Sequence, residues 1–159
     1  MNRFMECIEM EEINHVGIDV SAKTLEVAVH RQGKTLAMRT FENTPAGHQQ
    51  LIKAVTKRGQ AAQVVLEATG VYSLGIALAL KKHPLTEVMV ANPRAMKHFA
   101  EAVMQRGKSD TMDTATILEF CMRMKFTPWQ APSETLLVLR GIVRRILQLK
   151  EEVIVEKTV

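Results

Sequence analysis

Residues 15–30 read HVGIDVSAKTLEVAVH, and the rest of the chain can be placed outward from them. His15–Val20 alternates, with Val16, Ile18 and Val20 on one side and Gly17 and Asp19 on the other, the period of a half-buried strand. Thr24–Arg31 repeats that pattern. Gln32-Gly33 then offers a turn, and Thr35–Glu42 is expected to return as a third strand. Thr44-Pro45 combines an N-cap with a proline at the first helical position and opens a helix to about Arg58. Ala62–Glu67 is a short apolar run with the length of a buried strand. Val71–Lys82 reads as a helix ended by Pro84, and Glu87–Ala91 as another buried strand. Asn92-Pro93 repeats the cap-then-proline start for a helix to about Arg106. Gly107 breaks it, and Ser109 or Asp110 caps a further helix to about Lys125. An antiparallel set followed by alternating helices and strands predicts an α/β fold, a mixed sheet flanked by helices.

Bulk properties narrow the function classes. The chain has 159 residues, enough to bury a real core in one domain, and 47% of them are hydrophobic. No apolar run approaches the roughly 20 residues of a membrane-spanning helix. The start, MNRFMECIEMEEIN, lacks the basic region and apolar core of a secretory signal. Cys7 and Cys121 are too few for a disulfide framework, which points to free thiols in a reducing cytoplasm. A formal charge of +4 permits nucleic-acid binding. Its distribution is more informative. Arg94, Lys97, Arg106 and Lys108 cluster with only Glu101 against them, whereas residues 1–13 form an acidic leader. Basic side chains supply salt-sensitive phosphate contacts, although a solvated helix face would have the same composition.

From Ser133 the chain reads as one long helix, with Leu139, Ile142, Ile146, Leu149 and Val153 at heptad spacing and charged residues mostly off that seam. No glycine or proline ends it, so the polypeptide is expected to be truncated there.

Four acids stand where a metal-dependent nucleic-acid enzyme needs them. Asp19 and Glu67 end β-like runs, and Asp110 and Asp113 lie in GKSDTMDTA, three residues apart and expected on one helix face. Strand-end carboxylates lose little freedom in holding a cation. Mg²⁺ prefers hard oxygen ligands, and two such ions about 4 Å apart can activate a nucleophile and stabilise the leaving oxygen of a phosphodiester.

The motifs GIDVSAKTLEVAV, VVLEATGVYS, VMVANPRAMKHFAEA and GKSDTMDTATILEF, in this order, resemble the amino-terminal domain of insertion sequence 110 family transposases. That group includes the pilin gene-inverting proteins and is similar in fold to RuvC, the Holliday-junction resolvase. The resemblance covers roughly residues 14–126. It implies an RNase H-like (RuvC-like) domain over 14–128, then the start of a coiled-coil helix over 133–159. It further implies a DEDD tetrad at Asp19, Glu67, Asp110 and Asp113 that coordinates Mg²⁺, with Mn²⁺ as a substitute, for DNA strand cleavage and transfer in DNA transposition. Lys108 matches a lysine common in the family and is a candidate phosphate contact, beside Arg106, Arg94 and Lys97. Family members carry a second domain with an essential serine, and some are guided by a structured RNA. Ser21, Ser73, Ser109 and Ser133 lie in or beside the first domain, so none takes that role. The family usually has Lys directly after the serine of the first motif, where Ala22 stands here, and often Ala after the last Asp, where Thr114 stands.

The expected partners are DNA, a structured guide RNA in the RNA-guided case, and a second copy through the C-terminal helix, with no membrane. Two competing readings remain at this level. One is a nucleic-acid-binding or oligomerisation module without chemistry of its own. The other is one lobe of an actin-like sugar kinase, which would need a second lobe around ATP; no G-x-x-x-x-G-K-[ST] loop is present.

Overall fold

The computed structural model describes residues 13–104 and 113–158. Six strands form one sheet: β1 (Asn14–Val20), β2 (Thr24–Arg31), β3 (Lys34–Thr35), β4 (Arg39–Glu42), β5 (Ala62–Glu67) and β6 (Thr86–Ala91). β2 pairs antiparallel with β1, and on its other edge with both β3 and β4; β5 runs parallel to β1, and β6 parallel to β5. The spatial order β3-β2-β1-β5-β6, antiparallel on one side and parallel on the other, is that of an RNase H-like mixed sheet.

The hairpin after β2 turns on Gln32 and Gly33, both left-handed at φ 50° and 71°, as the expected two-residue turn requires. The third strand is not continuous. Residues 36–38 oppose only Ala28 and Val29 between the β3 and β4 ladders, so an extra residue bulges from the edge and divides the strand in two.

Helices cover both faces. α1 (Pro45–Val55) starts where Thr44 Oγ1 accepts from the Gly47 N–H at 3.1 Å, with Pro45 at its first turn. It stops short of Arg58, because Arg58 and Gly59 take left-handed backbone that no right-handed helix can continue. α2 (Val71–Lys82) follows Gly70, whose φ 63°, ψ −124° is open only to glycine. Both helices pack on the face carrying Val16, Ile18, Leu25, Val27, Val64 and Leu66. The opposite face bears Gly17, Ala28, Val65 and Ala91. It is covered by α3 (Pro93–Met104, as far as described) and α4 (Thr114–Arg123) through Met96, Ile117, Phe120 and Cys121. Phe99 and Phe120 join these two helices edge to face, with centroids 5.2 Å apart. Burial pushes the Cys121 thiol up to about 12, so it sits in this layer as a neutral apolar group.

Gly17 governs how α4 sits. A Cβ at Gly17 would lie 2.4 Å from the Leu118 backbone nitrogen, so α4 rests its main chain on the sheet where a side chain is missing. Ala28, directly across the hairpin from Gly17, keeps the same patch low.

Trp129 closes the first compact unit, donating its backbone N–H to the Val88 carbonyl at 2.7 Å and packing on the core. The second unit, Gln130–Val159, contains α5 (Glu134–Thr158), capped by Ser133 Oγ, which accepts from the Leu136 N–H at 3.2 Å. The heptad positions Leu139, Ile142, Ile146, Leu149 and Val153 are all exposed in the single chain. Among the described residues no helix is long and apolar enough to cross a membrane.

Candidate active site

β1 and β5 run side by side in the same direction, and their last paired rung is Ile18 with Leu66. Asp19 and Glu67 are the residues that follow, one on each strand, at the carboxyl edge of the parallel half of the sheet. That edge is where the parallel strands of α/β sheets place their ligands. Alternation puts Asp19 on the Gly17 side, under α4.

The acids sense one another. The Glu67 carboxyl is lifted above its ordinary range by burial and then by the charge of Asp19. Asp19 is lifted by burial, by Glu26 and by Asp113, against a lowering backbone hydrogen bond from Val20. Desolvation and like charge both favour the neutral acid. Asp19, Glu67 and Asp113, separated by 48 and 46 residues of chain in turn, thus share one field. Among the described residues, however, no three of His, Cys, Asp and Glu already stand in ion-holding proximity.

Asp113 reaches this site by a route other than the expected one. It is the N-cap of α4, with extended backbone at φ −107°, ψ 166°, so it stands ahead of the helix and not inside its first turn. Its Oδ1 accepts from the Thr116 N–H and from Thr116 Oγ1, both at 2.8 Å. A short carboxylate satisfies free N–H groups at a helix start better from the cap than from inside the first turn. α4 accordingly begins at Thr114 and ends at Arg123, not Lys125. Asp110, Lys108 and Arg106 lie outside the described residues.

Arg94 and Lys97 are exposed on α3, whose start follows β6 at the same carboxyl edge, with the Arg94 N–H bonded to Asn92 Oδ1 at 2.8 Å. Asn92 therefore does open that helix as its spacing predicted.

One acid was missed in the linear reading. Glu26 on β2 is the antiparallel partner of Asp19, and its Oε2 accepts from Thr114 Oγ1 at 3.3 Å. Two carboxylates directly opposite on one face repel. Counting back through the β1–β2 turn would have found it, since Glu26 is the polar position between Leu25 and Val27. Replacing Glu26 by Gln removes the larger of the two charges acting on Asp19, so the Asp19 carboxyl should titrate lower. Side-chain carboxyl NMR would read the change, and an unmoved titration would show that the two groups do not share a field.

Asn43 and His48 were not singled out either. The His48 ring is buried, which lowers its pKa and keeps it neutral at pH 7. Its Nε2 lies 2.8 Å from Asn43 Oδ1.

A mixed sheet in this order, with carboxylates closing adjacent parallel strands, defines an RNase H-like domain with an acidic edge. The particular family follows from the sequence: the model of the transposase family DEDD_Tnp_IS110 matches residues 16–158, and the chain belongs to that family. No curated protein matches it. Among solved structures it is similar to T. thermophilus RuvC in complex with Holliday junction substrate, at 14% identity and TM-score 0.45, covering 70% of this chain and 91% of that one. A second Thermus thermophilus RuvC structure gives 14% identity and TM-score 0.44, with 75% and 86% covered. An Aquifex aeolicus Ppx/GppA family member gives 12% and 0.35, with 58% and 39% covered.

Proposed function

We propose that this transposase domain cleaves and transfers DNA strands with divalent cations held by Asp19 and Glu67, together with Asp113 and, through the family resemblance, Asp110. The observation that carries the reading is that Asp19 and Glu67 follow the last rung of adjacent parallel strands, where Asp19 also feels the charge of Asp113. The donor chemistry fits Mg²⁺, or Mn²⁺ in its place: all are hard carboxylate oxygens, and their mutual repulsion is what a cation relieves. Two residues after Glu67, the buried Thr69 Oγ1 has no hydrogen-bond partner among the described residues.

When bound, the metal would supply a Lewis acid that activates water or a hydroxyl and stabilises the leaving oxygen. The chain's own residues do the rest. Asp19 is held on the β1–β2 ladder and Glu67 on the β5–β6 ladder, so little backbone freedom is lost on binding. Asp113 keeps its carboxylate fixed through Thr116, so α4 delivers it ready oriented. Arg94 and Lys97, with Arg106 and Lys108, offer cations for the phosphates that flank the scissile bond. DNA is the proposed substrate in the cytoplasm. A structured RNA is a proposed guide, and a second copy a proposed partner along the exposed apolar seam of α5.

The test is cleavage of end-labelled linear and branched DNA by the 159-residue chain, in Mg²⁺ or Mn²⁺ and in EDTA. Nicking that needs the cation and vanishes in Glu67→Gln supports the proposal. Salt-sensitive DNA binding without cleavage under any condition would favour the binding-module reading instead.

A further inference from the structure

The ladder between β1 and β5 ends one rung before the acids, at Ile18 and Leu66. Asp19 and Val20 stay paired with β2, and Glu67 with β6, but no rung joins β1 directly to β5 beyond that point. Asn43, between β4 and α1, spans them. Its Nδ2 donates to the Ser21 carbonyl at 2.9 Å and to the Tyr72 carbonyl at 3.0 Å. Its backbone N–H donates to the Lys23 carbonyl at 2.8 Å. Ser21 stands two residues after Asp19, and Tyr72 five after Glu67. One amide therefore ties the turn leaving β1 to the start of the helix that follows β5.

The turn it grips is itself stiff. Ser21 Oγ accepts from the Thr24 N–H at 3.0 Å, and the Ser21 N–H donates to the Thr24 carbonyl at 2.9 Å. The orientation of the Asn43 amide follows from its partners. Two carbonyls claim both hydrogens of Nδ2, so Oδ1 faces His48, and His48 Nε2 must be the donor in that 2.8 Å bond. His48 is held in turn by α2: a Cβ on Gly75 would lie 3.2 Å from its Cε1, so the ring lies against a helix surface left bare by glycine.

We infer that Asn43, oriented by His48, is a positioning residue that clamps the segments after β1 and β5 so that Asp19 and Glu67 face a common cation. The cation rests on the reading in the preceding section; the clamp rests on the hydrogen bonds alone. Neither residue touches DNA or metal in this scheme. The chemistry is specific to an amide: aspartate at 43 has no hydrogens to offer and would set a carboxylate against two carbonyl oxygens.

The experiment measures Mn²⁺ affinity by the electron paramagnetic resonance signal of the free ion, and backbone hydrogen exchange over residues 19–24 and 67–73. The chains compared are the parent, Asn43→Ala, Asn43→Asp, His48→Leu and His48→Gln. Loss of an outer partner of a metal ligand typically weakens binding about 10- to 100-fold. Asn43→Ala, Asn43→Asp and His48→Leu should each bind Mn²⁺ at least about tenfold more weakly, while both segments exchange faster together. His48→Gln, which keeps an N–H aimed at Asn43 Oδ1, should restore parental affinity and protection. Parental Mn²⁺ affinity in Asn43→Ala, or faster exchange in only one segment, overturns the clamp. Should Asn43→Ala not fold, the His48→Leu and His48→Gln pair decides, and equal behaviour of the two overturns it. Should the parent bind no Mn²⁺, the metal-site reading falls, and the paired exchange response alone then confirms or refutes the clamp.

Discussion

Asp19→Asn should abolish the thermal stabilisation that Mn²⁺ gives the parent chain. A ligand at 100 times its Kd stabilises the folded state by about 2.7 kcal/mol, which for a chain of this size is a rise in Tm of roughly 5–10 °C. In EDTA the order should reverse, with the Asn variant melting above the parent at pH 7. Burial, then Glu26 and Asp113, lift the Asp19 carboxyl above its ordinary range, and burial and Asp19 do the same to Glu67. An acid whose pKa is raised by folding costs stability once ionised. That cost is complete above the folded pKa and disappears as pH falls below the unfolded one. The metal-free parent should therefore gain on Asp19→Asn as pH is lowered from 7 through the carboxylate range. Calorimetry in EDTA and in Mn²⁺ across that range reads both effects. A Mn²⁺ shift that survives in Asp19→Asn would remove Asp19 from the ligand set.

Gly17→Val should disable the site without touching a carboxylate. The added carbon would fall 2.4 Å from the Leu118 nitrogen and 2.8 Å from its Cα, and backbone cannot swing aside as a flexible side chain can. α4 must lift, taking Asp113 from the neighbourhood of Asp19 and separating Ile117, Phe120 and Cys121 from the sheet. Overpacking of this kind costs about 3 kcal/mol at the upper end of its usual range, or a fall in Tm on the order of 10 °C. Mn²⁺ affinity should fall with it. Gly141→Ala is the control. No atom of the described residues lies within 4 Å of a Cβ there, and alanine in place of glycine inside an exposed helix should add about 1 kcal/mol of helix stability. Equal melting of the parent and Gly17→Val would mean that α4 does not rest on Gly17.

Elements whose signal repeats within a few residues were legible in the linear chain. The alternation in 15–30 marks β1 and β2, Gln32-Gly33 marks their outer turn, and the cap-then-proline pairs at Thr44-Pro45 and Asn92-Pro93 open two helices where the structure has them. Each depends on φ/ψ preferences and side-chain spacing that act locally. The bulge that divides the third strand was not legible, because nothing in Thr35–Glu42 reveals how many partners β2 offers it. The end of α1 was misplaced for a related reason: Lys57 and Arg58 are good helix formers, and only the reversal into β5 forces Arg58 to positive φ.

The candidate site divides the same way. Residue type and strand-end position were enough to single out Asp19 and Glu67, since both are polar residues closing apolar runs. Asp113 was expected inside a helix and stands instead at its cap, because an aspartate before a helix and one inside its first turn look alike in a sequence. Glu26, Asn43 and His48 gain their meaning from partners 7, 22 and 5 positions away, which become neighbours only through the hairpin register and the docking of helices on the sheet. Family membership, strand periods and the identity of the strand-end acids belong to the linear chain, because short-range sterics and hydrophobic alternation set them. Which acids share a field, what cap presents Asp113 and which amide bridges the two turns belong to the folded molecule, because ladder register and close helix approach are sums of contacts between distant segments.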